Sequence, residues 1–404
     1  MQKKFEVVLL GSDMNVYGMA RSLHEQYGII SHSIGKMELD YIKYSKILKH
    51  NIIPDLEDDS TFANYLLEFH KKLDTDKVIL VACGDTYVDK IITNKKDLSE
   101  KYIVPYIDQD LSLRLQNKKS FYKICDQYGL KYPKTQIVNA ENYQNFTLEL
   151  SYPIVLKPAN TVMYWLTTIK ERKKAYLVHD NKQLDHILYN IYSSDYNDDF
   201  ILQEYLDGDD SSIAVVNCYS TSDGEVVMQT FGNVLLEDHA PNGIGSHMAI
   251  ISSTEPELLK QIKLFLEDIN YIGFSNFDLK YDFRDNTYKF FEINLRQGRS
   301  SYYVTNAGCN LGKYLVEEYI FNNTLTYETG KPNKLWSVIP KSIIMKYVKN
   351  REMKSKFLKI YNESKYCNSL IYAKDLSFKR LLMQTKNFHL QKLRYLKHFS
   401  DKEL

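Results

Sequence analysis

The hydrophobic and polar positions at the start of the chain alternate between short apolar runs and polar stretches. Residues 5–10 form one apolar run, which a Gly-Ser-Asp turn at 11–13 follows, and residues 78–82 form another, before Cys-Gly-Asp at 83–85. Runs of this length predict strands buried in a parallel sheet. Small and acidic residues just beyond such strands are where open α/β sheets bind ligands. We therefore predict a small doubly wound α/β domain over residues 1–112.

From about residue 113 the pattern changes to apolar segments separated by polar loops, which predicts an α+β region. Helices are predicted over residues 113–128 and 256–270. Strand-like segments lie at residues 135–138, 154–157, 176–178 and 200–204. We divide the region into residues 113–200 and 201–325, followed by a C-terminal extension over residues 326–404.

A predicted β-hairpin over residues 275–294 carries the most informative pattern. Its two strands flank residues 284–286, whose Arg-Asp-Asn composition is typical of a turn. If these three residues form the loop, Asp278 lies opposite Glu292, and Asn294 emerges on the same face. Opposed carboxylates repel each other, and Mg²⁺ would relieve the repulsion because it binds carboxylates together with phosphate oxygens. Taken alone, the hairpin is equally compatible with a solvated polar face.

Further polar positions fit a nucleotide near such a metal. Arg296 continues the polar face of the hairpin, where it could stabilise charge on a transferring phosphoryl group or a tetrahedral intermediate. Lys157 ends an apolar strand and needs an anionic partner; Lys118 is a second candidate. Residues 203–206 could offer backbone groups to adenine, and Asp210 could bind ribose hydroxyls. Taken singly, the lysines and the adenine segment are more typical of an ordinary surface.

Composition narrows the classes of protein. With 404 residues, a net charge of +1 and 44% hydrophobic residues, the chain can bury a large core and is not expected to bind nucleic acid. Five scattered cysteines without a C-x-x-C pair favour a reducing cytoplasm over disulfides or a zinc site. The sequence shows no signal-peptide pattern and no apolar run long enough to span a membrane, which also predicts a cytoplasmic protein.

The C-terminal residues are unusually basic. Residues 351–404 hold 13 Lys and Arg against 5 Asp and Glu, and within 376–399 leucines alternate with cations at roughly helical spacing. One interpretation is a terminal helix packed on the body with a solvated basic face. The other is contact with an anionic membrane surface or a diphosphate-linked substrate.

In order along the chain, these pieces resemble the ATP-grasp superfamily. The matching motifs are Lys118 before a glycine–proline turn at 129–133, the strand-end pair Lys157-Pro158, Gly-x-acidic at 208–210, and Glu-x-Asn-x-Arg at 292–296 after Asp278. The resemblance implies that Lys118 and Lys157 bind the ATP phosphates. It implies that adenosine is bound by Gln203, Glu204, Tyr205 and Asp210. It also implies that two Mg²⁺ are bound by Asp278, Glu292 and Asn294. One departure is the phosphate lid, which is usually glycine-rich: residues 159–165 contain no glycine, and we leave its contacts unassigned.

The likeness extends to one branch, the D-aspartate ligases of Gram-positive cell-wall assembly. It is carried by residues 9–21, 82–85, 117–122, 292–301 and the region around 335–341. Enzymes of this branch phosphorylate the β-carboxylate of D-aspartate. They then couple it to the lysine ε-amine of a peptidoglycan precursor, the UDP-linked muramyl pentapeptide. The resemblance implies the same activity for this chain.

A dicarboxylic donor also needs its second carboxylate bound. Arg299, Ser300 and Ser301 directly follow the hairpin and are the candidates, because arginine can hold a carboxylate with two hydrogen bonds; a structural ion pair is the alternative for Arg299. The same fold could instead serve a ligase for another amino acid and another envelope or peptide acceptor. A regulator without catalysis and a kinase that needs no amine are further alternatives. The donor, the acceptor and the oligomeric state stay open.

Overall fold

The structure is a computed structural model, and it describes residues 4–159, 164, 167–169, 172–173, 175–240, 243–363 and 365–399. The described chain divides into two compact units. The first comprises the residues up to Ser112, Asp209–Leu279 and Ile293–Phe399. The second comprises Leu113–Gly208 and Lys280–Glu292.

Four parallel strands form the sheet at the start of the first unit. They are β1 (Glu6–Leu10), β2 (Ser31–Gly35), β3 (Leu48–Ile52) and β4 (Val78–Ala82), in the order β3-β2-β1-β4. Every side chain of β4 is buried, as expected for a strand covered on both faces. The strands predicted from the apolar runs at 5–10 and 78–82 are therefore confirmed.

An eight-stranded mixed sheet contains the predicted hairpin. Its strands are β9 (Ile213–Ser220), β10 (Val226–Glu237), β11 (His247–Ser253), β12 (Gly273–Asp282), β13 (Thr287–Asn294), β14 (Glu328–Thr329), β15 (Leu335–Ser337) and β16 (Tyr366–Cys367). They lie in the order β13-β12-β9-β10-β11-β15-β16, and β14 pairs with β10. The hairpin turn holds four residues, one more than predicted, because β12 already ends at Asp282. Asn286 in this turn has a φ of 55°, a left-handed conformation that asparagine tolerates.

The second unit has its own four-stranded sheet. Its strands are β5 (Thr135–Val138), β6 (Ile154–Pro158), β7 (Tyr176–Val178) and β8 (Phe200–Glu204), in the order β5-β8-β6-β7. Strand β8 runs antiparallel to both β5 and β6. The four strands predicted for this region are confirmed, and their apolar side chains form a core of their own.

The helices of the described residues are α1 (Met14–Tyr27), α2 (Asp59–His70), α3 (Asp85–Thr93), α4 (Lys95–Leu98), α5 (Gln109–Gln116), α6 (Lys118–Tyr128), α7 (Asn181–Tyr192), α8 (Pro256–Asp268), α9 (Tyr302–Asn306), α10 (Leu311–Val316), α11 (Lys341–Tyr347), α12 (Arg351–Asn362) and α13 (Phe378–His398). The single helix predicted over 113–128 is wrong. Asn117 interrupts it with an extended backbone and caps α6, since its Oδ1 accepts a hydrogen bond from the backbone N–H of Ser120 at 3.0 Å. None of these helices is long and apolar enough to cross a lipid bilayer.

Helix α13 lies near the end of the described chain and packs against the rest of the first unit, as one interpretation of its periodicity predicts. Its buried residues are Arg380, Gln384 and Tyr395, and Tyr395 belongs to the hydrophobic core of the unit. Arg380 is fully buried against Asp375, with 3.3 Å between Nε and Oδ2. Five leucines of the helix are 44–59% exposed: Leu381, Leu382, Leu390, Leu393 and Leu396. The helix therefore docks through hydrogen bonds, ion pairs and the ring of Tyr395, and turns these five leucines outwards.

Candidate active site

A hydrogen-bond network joins the strand ends of the first unit to the segment that follows the hairpin. Asn15, in the first turn of α1, donates from Nδ2 to the carbonyl oxygens of Cys83 (3.1 Å) and Gln297 (3.2 Å). Gln297 in turn donates to the carbonyl oxygen of Ala82 at 3.1 Å. The carboxyl ends of β1 and β4 thus lie beside residues 296–301, as expected for ligand-binding edges of a parallel sheet.

Arg296 is held at this junction by an acidic partner. Its Nε and Nη2 donate to the two carboxylate oxygens of Asp85 at 2.7 and 2.8 Å. Burial lowers the pKa of Arg296, but the charge and hydrogen bonds of Asp85 outweigh burial and raise the pKa above its ordinary value. The guanidinium is therefore a permanently charged group with a fixed plane.

The first unit also brings together two of the predicted metal ligands. Asn294 donates from Nδ2 to Oδ2 of Asp278 at 3.0 Å and to Oδ1 of Asn276 at 3.1 Å. Because the amide nitrogen makes these contacts, the amide oxygen is the Asn294 atom that suits a cation. A carboxylate beside an amide oxygen is a hard-oxygen ligand set, the kind that Mg²⁺ prefers.

The third predicted ligand, Glu292, lies in the second unit beside a predicted phosphate ligand. Its Oε2 accepts a hydrogen bond from Nζ of Lys118 at 2.7 Å. Among the described residues, no three His, Cys, Asp or Glu side chains gather as a ready metal cluster. The predicted ligand set has two carboxylates and one amide, so it is not a cluster of three such side chains. Its oxygen atoms fit Mg²⁺, with phosphate oxygens completing the coordination shell.

Lys157 is anchored within the second unit. Its Nζ donates to Oε1 of Gln203 at 2.8 Å and lies 5.5 Å from the centre of the Phe291 ring. Gln203 donates in turn to the hydroxyl of Tyr122 at 2.9 Å. Because the Gln203 side chain is buried and held by these hydrogen bonds, it orients Lys157. The sequence did not suggest this role.

Some backbone groups of the predicted adenine segment already form hydrogen bonds within the sheet. Gln203 pairs with both Thr135 and Val155 in the sheet, and the N–H of Glu204 donates to the carbonyl oxygen of Lys134 at 2.9 Å. The carboxylate of Glu204 also accepts from Arg284 at 2.9 Å. The backbone N–H of Glu204 is therefore used within the sheet.

Two histidines that the sequence did not single out lie beside carboxylates in the first unit. His239 is 2.9 Å from Asp210, the predicted ribose ligand, and His247 is 3.3 Å from Glu237. Burial lowers the pKa of each histidine, but the neighbouring carboxylates outweigh it and raise both pKa values. Neither histidine belongs to a recognisable sequence motif. His247 lies beside Glu237 because β10 pairs with β11 in the sheet.

The predicted donor residues sit in different surroundings. Arg299 approaches Asp13 (Nε–Oδ2 3.7 Å) and donates to the hydroxyl of Tyr41 at 3.1 Å. Burial raises the pKa of Asp13, although the charge of Arg299 opposes this. Ser300 and Ser301 are buried, and the Ser301 hydroxyl bonds to Oδ1 of Asn15 at 3.4 Å. Arg299 is the one of the three that lines a cavity of about 360 Å³.

The cavity beside Arg299 lies wholly within the first unit. Residues of the loop after β2, including Glu38 and Tyr41, form one side, and residues of α13, including Gln384 and Arg394, form another. The C-terminal extension therefore contributes directly to the surroundings of a predicted substrate residue. Most of the predicted phosphate lid at 159–165 lies outside the described residues.

No model of a known protein family matches the chain. The chain is 42% identical over 413 residues to the D-aspartate ligase of Enterococcus faecium (strain Aus0004), covering 99% of this chain and 98% of that protein.

Several solved structures have a similar fold. An L-amino acid ligase from Bacillus licheniformis is 15% identical, with a TM-score of 0.55 over 79% of this chain and 75% of that one. N5-carboxyaminoimidazole synthetase from Staphylococcus aureus is 14% identical, with a TM-score of 0.59 over 83% and 82%. The biotin carboxylase domain of a Hydrogenobacter thermophilus 2-oxoglutarate carboxylase, solved with MgADP, ADP and bicarbonate, is 12% identical, with a TM-score of 0.59 over 83% and 74%. At these identities the structures bear on the fold alone, and they confirm the predicted ATP-grasp fold.

Proposed function

Since the chain belongs to the D-aspartate ligase family, we propose that it activates the β-carboxylate of D-aspartate with ATP and couples it to the lysine ε-amine of a peptidoglycan precursor peptide. The observation that carries the proposal is the 42% identity to the Enterococcus faecium enzyme over 99% of this chain. The proposed acceptor is the UDP-linked muramyl pentapeptide.

The proposed ATP site is built from the residues that the motifs single out. Lys118 and Lys157 would bind the phosphates, and Asp210 would hold the ribose. The residues proposed to meet the adenine are Gln203, Glu204 and Tyr205. Magnesium, with two ions proposed, would be held by Asp278, Glu292 and Asn294, where it would offset the negative charge of the phosphates. The 2.7 Å contact between Lys118 and Glu292 supports this assignment, because a phosphate ligand and a metal ligand are expected side by side.

The proposed chemistry has two steps. An oxygen of the donor β-carboxylate attacks the γ-phosphorus, the bond to the bridging oxygen breaks, and ADP leaves. The lysine amine then attacks the acyl carbon and loses a proton, and phosphate departs with the electron pair of the C–O bond. Arg296 would stabilise the tetrahedral oxyanion and the departing phosphate, while Asp85 keeps its guanidinium in a fixed orientation.

Recognition of the donor is assigned to the segment after the hairpin. Arg299 would bind the α-carboxylate, since its guanidinium lines the cavity and its nearest carboxylate, Asp13, is 3.7 Å away. Ser300 and Ser301 would shape the backbone beside it. The ammonium group of the donor would suit the carboxylate of Asp13.

The outward face of α13 is proposed to contact an anionic membrane surface. Phe378, Leu382, Leu393 and Leu396 are 49–75% exposed on this face. Exposed lysines lie beside them: Lys379, Lys386, Lys392 and Lys397. The helix contains no Asp or Glu. An exposed apolar face flanked by cations is the pattern of helices that lie in the headgroup region of anionic bilayers.

The function is tested by phosphate release from ATP and Mg²⁺ with a panel of D- and L-amino acids, with and without the lysine-containing muramyl pentapeptide. Turnover with D-aspartate and an acceptor heavier by one aspartyl residue are the expected results. Turnover with a different donor would favour a ligase for another amino acid. Phosphorylated donor that accumulates without any need for an amine would favour a kinase, and ATP binding without turnover would favour a regulator.

A further inference from the structure

We propose that α13 forms a binding wall for the peptide acceptor and that buried carboxamides on this helix recognise the backbone amide groups of the peptide. The inference rests on the proposed ligase function and names the part of the chain that selects the acceptor. Three carboxamide side chains of α13 line the cavity beside Arg299: Gln384, Asn387 and Gln391. Their spacing of three and four residues places them on one face of the helix.

Gln384 is the residue that points to a ligand. Its side chain is only 1% exposed, yet neither its Oε1 nor its Nε2 has a hydrogen-bond partner in the described part of the chain. The same is true of buried Oε1 of Gln391 and Nε of Arg394. Burying such groups unpaired destabilises a folded protein. A ligand with complementary donors and acceptors in the cavity would satisfy them.

The chemistry of the lining favours a peptide over a nucleotide. A carboxamide offers one acceptor and two donors, which complement the N–H and C=O of a peptide bond. Arg299 and Arg394 contribute cations, while Glu38 and Asp40 contribute carboxylates. These carboxylates would repel a polyphosphate but would suit the amine groups of a zwitterionic peptide.

The size of the cavity points in the same direction. Its volume of about 360 Å³ lies within the range of roughly 300–1,000 Å³ that holds drug-sized ligands. This is more room than a single dicarboxylic amino acid fills. The wall formed by α13 therefore extends the site from the donor at Arg299 towards the acceptor.

The test replaces Gln384 with methionine, which keeps the length of the side chain and removes the amide. Calorimetric titration with the UDP-linked muramyl pentapeptide should show about tenfold weaker binding for Gln384→Met than for the wild type, as expected for a lost amide hydrogen bond. The Tm should stay the same or rise, because an unpaired buried amide is gone. Thr385→Ala, at the exposed neighbouring position, is the matched control and should bind like the wild type.

A second measurement separates this inference from the proposed reaction. Hydroxylamine can replace the peptide: its nitrogen attacks the acyl carbon of the acyl phosphate, phosphate leaves, and aspartyl hydroxamate forms. Wild type and the control Thr385→Ala should form hydroxamate at the same rate with the same KM for D-aspartate. If the wild type formed no hydroxamate, the proposed activation step would be wrong. The titration would still test whether α13 binds the peptide.

The inference would be overturned if Gln384→Met bound the pentapeptide as tightly as the wild type. It would also be overturned by a lower Tm with unchanged binding, which would make the amide structural. Gln391→Met, at a less buried position of the same wall, repeats the comparison if Gln384→Met does not fold.

Discussion

Arg296 and Asp85 form a two-pronged ion pair, with Nε and Nη2 of the arginine 2.7 and 2.8 Å from the two carboxylate oxygens. The pair joins the segment after the metal hairpin to the first residue of α3. Arg296 is the proposed catalytic group, and Asp85 acts through it as a positioning residue. Loss of either side chain should therefore affect the rate of the reaction more than the binding of ATP.

For Arg296→Met we expect kcat to fall about 10²–10³-fold, the usual loss when one group that stabilises developing charge is removed. Asp85→Asn should lower kcat by about tenfold, since the arginine keeps its charge but loses its fixed plane. The KM for ATP should change little in either. Steady-state kinetics measure both, with Asp59→Asn as the control because that exposed carboxylate pairs with Lys90 away from the junction. Unchanged kcat in Arg296→Met would remove the arginine from the mechanism.

Removal of a metal ligand should be visible in the magnesium dependence. Asp278→Asn is expected to raise the half-saturating Mg²⁺ concentration by about tenfold or more, because a neutral amide is a weaker ligand than a carboxylate. Activity at saturating ATP is measured over a magnesium titration, and a chelator should abolish it reversibly. Asp285→Asn, in the turn of the same hairpin and paired with Lys289, should behave like the wild type. Equal magnesium curves for Asp278→Asn and wild type would reject Asp278 as a ligand.

The ion pair of His239 with Asp210 predicts a pH-dependent contribution to stability. The pKa of His239 is raised in the folded state, so its stabilising contribution is fully present below about pH 6.5 and is lost as the pH rises through the higher folded pKa. Denaturant unfolding of wild type and His239→Gln should therefore differ most below pH 6.5 and converge at higher pH. A difference that grew with rising pH would contradict the raised pKa.

The fully buried pair of Asp375 and Arg380 should be costly to break. Asp375→Ala leaves the arginine buried without its partner and should lower the free energy of unfolding by about 3–5 kcal/mol. The double variant with Arg380→Met should lose less than the sum of the single variants, because both charges are gone. Glu363→Gln breaks an exposed pair with Lys365 and should have no measurable effect.

Membrane contact through α13 predicts binding to lipid vesicles. The wild type should sediment with vesicles rich in anionic lipid, less so at high salt, and should stay in solution with neutral vesicles. Leu393→Glu places a charge in the apolar face and should abolish sedimentation without changing the Tm. Leu264→Glu is the control, since Leu264 is similarly exposed on α8. If Leu393→Glu and the wild type sedimented equally, the apolar face of α13 would not be the membrane contact. Binding would then occur elsewhere on the protein or by nonspecific attraction.

Local patterns gave most of the elements that position the site. The strands at 135–138 and 176–178 match the predicted bounds, because strand length and burial are encoded in consecutive residues. The break at Asn117 was missed because apolar spacing continues across it, although asparagine is a common helix cap. The hairpin turn was misjudged by one residue for a similar reason: turn composition does not fix where pairing stops.

Local sequence patterns could not predict contacts between side chains that are distant along the chain. The partner of Lys157 is Gln203, and the partner of Arg296 is Asp85; both depend on how distant strands and helices meet. The sequence also left open which face of α13 is buried, because helical periodicity reveals an apolar face but not where that face points. The assignments of the site residues stay predictions, which the variants above test, and the four-part division of the chain also stays a prediction.

The burial of Asp375 has a consequence for how the protein is made. Its carboxylate accepts hydrogen bonds from Tyr17 (2.8 Å), Ser45 (2.9 Å) and the backbone of Lys46, all in the α/β domain predicted over residues 1–112. That domain cannot reach its final packing until the chain has been translated past Arg380. A prematurely terminated product would therefore expose an unfinished N-terminal domain to proteases.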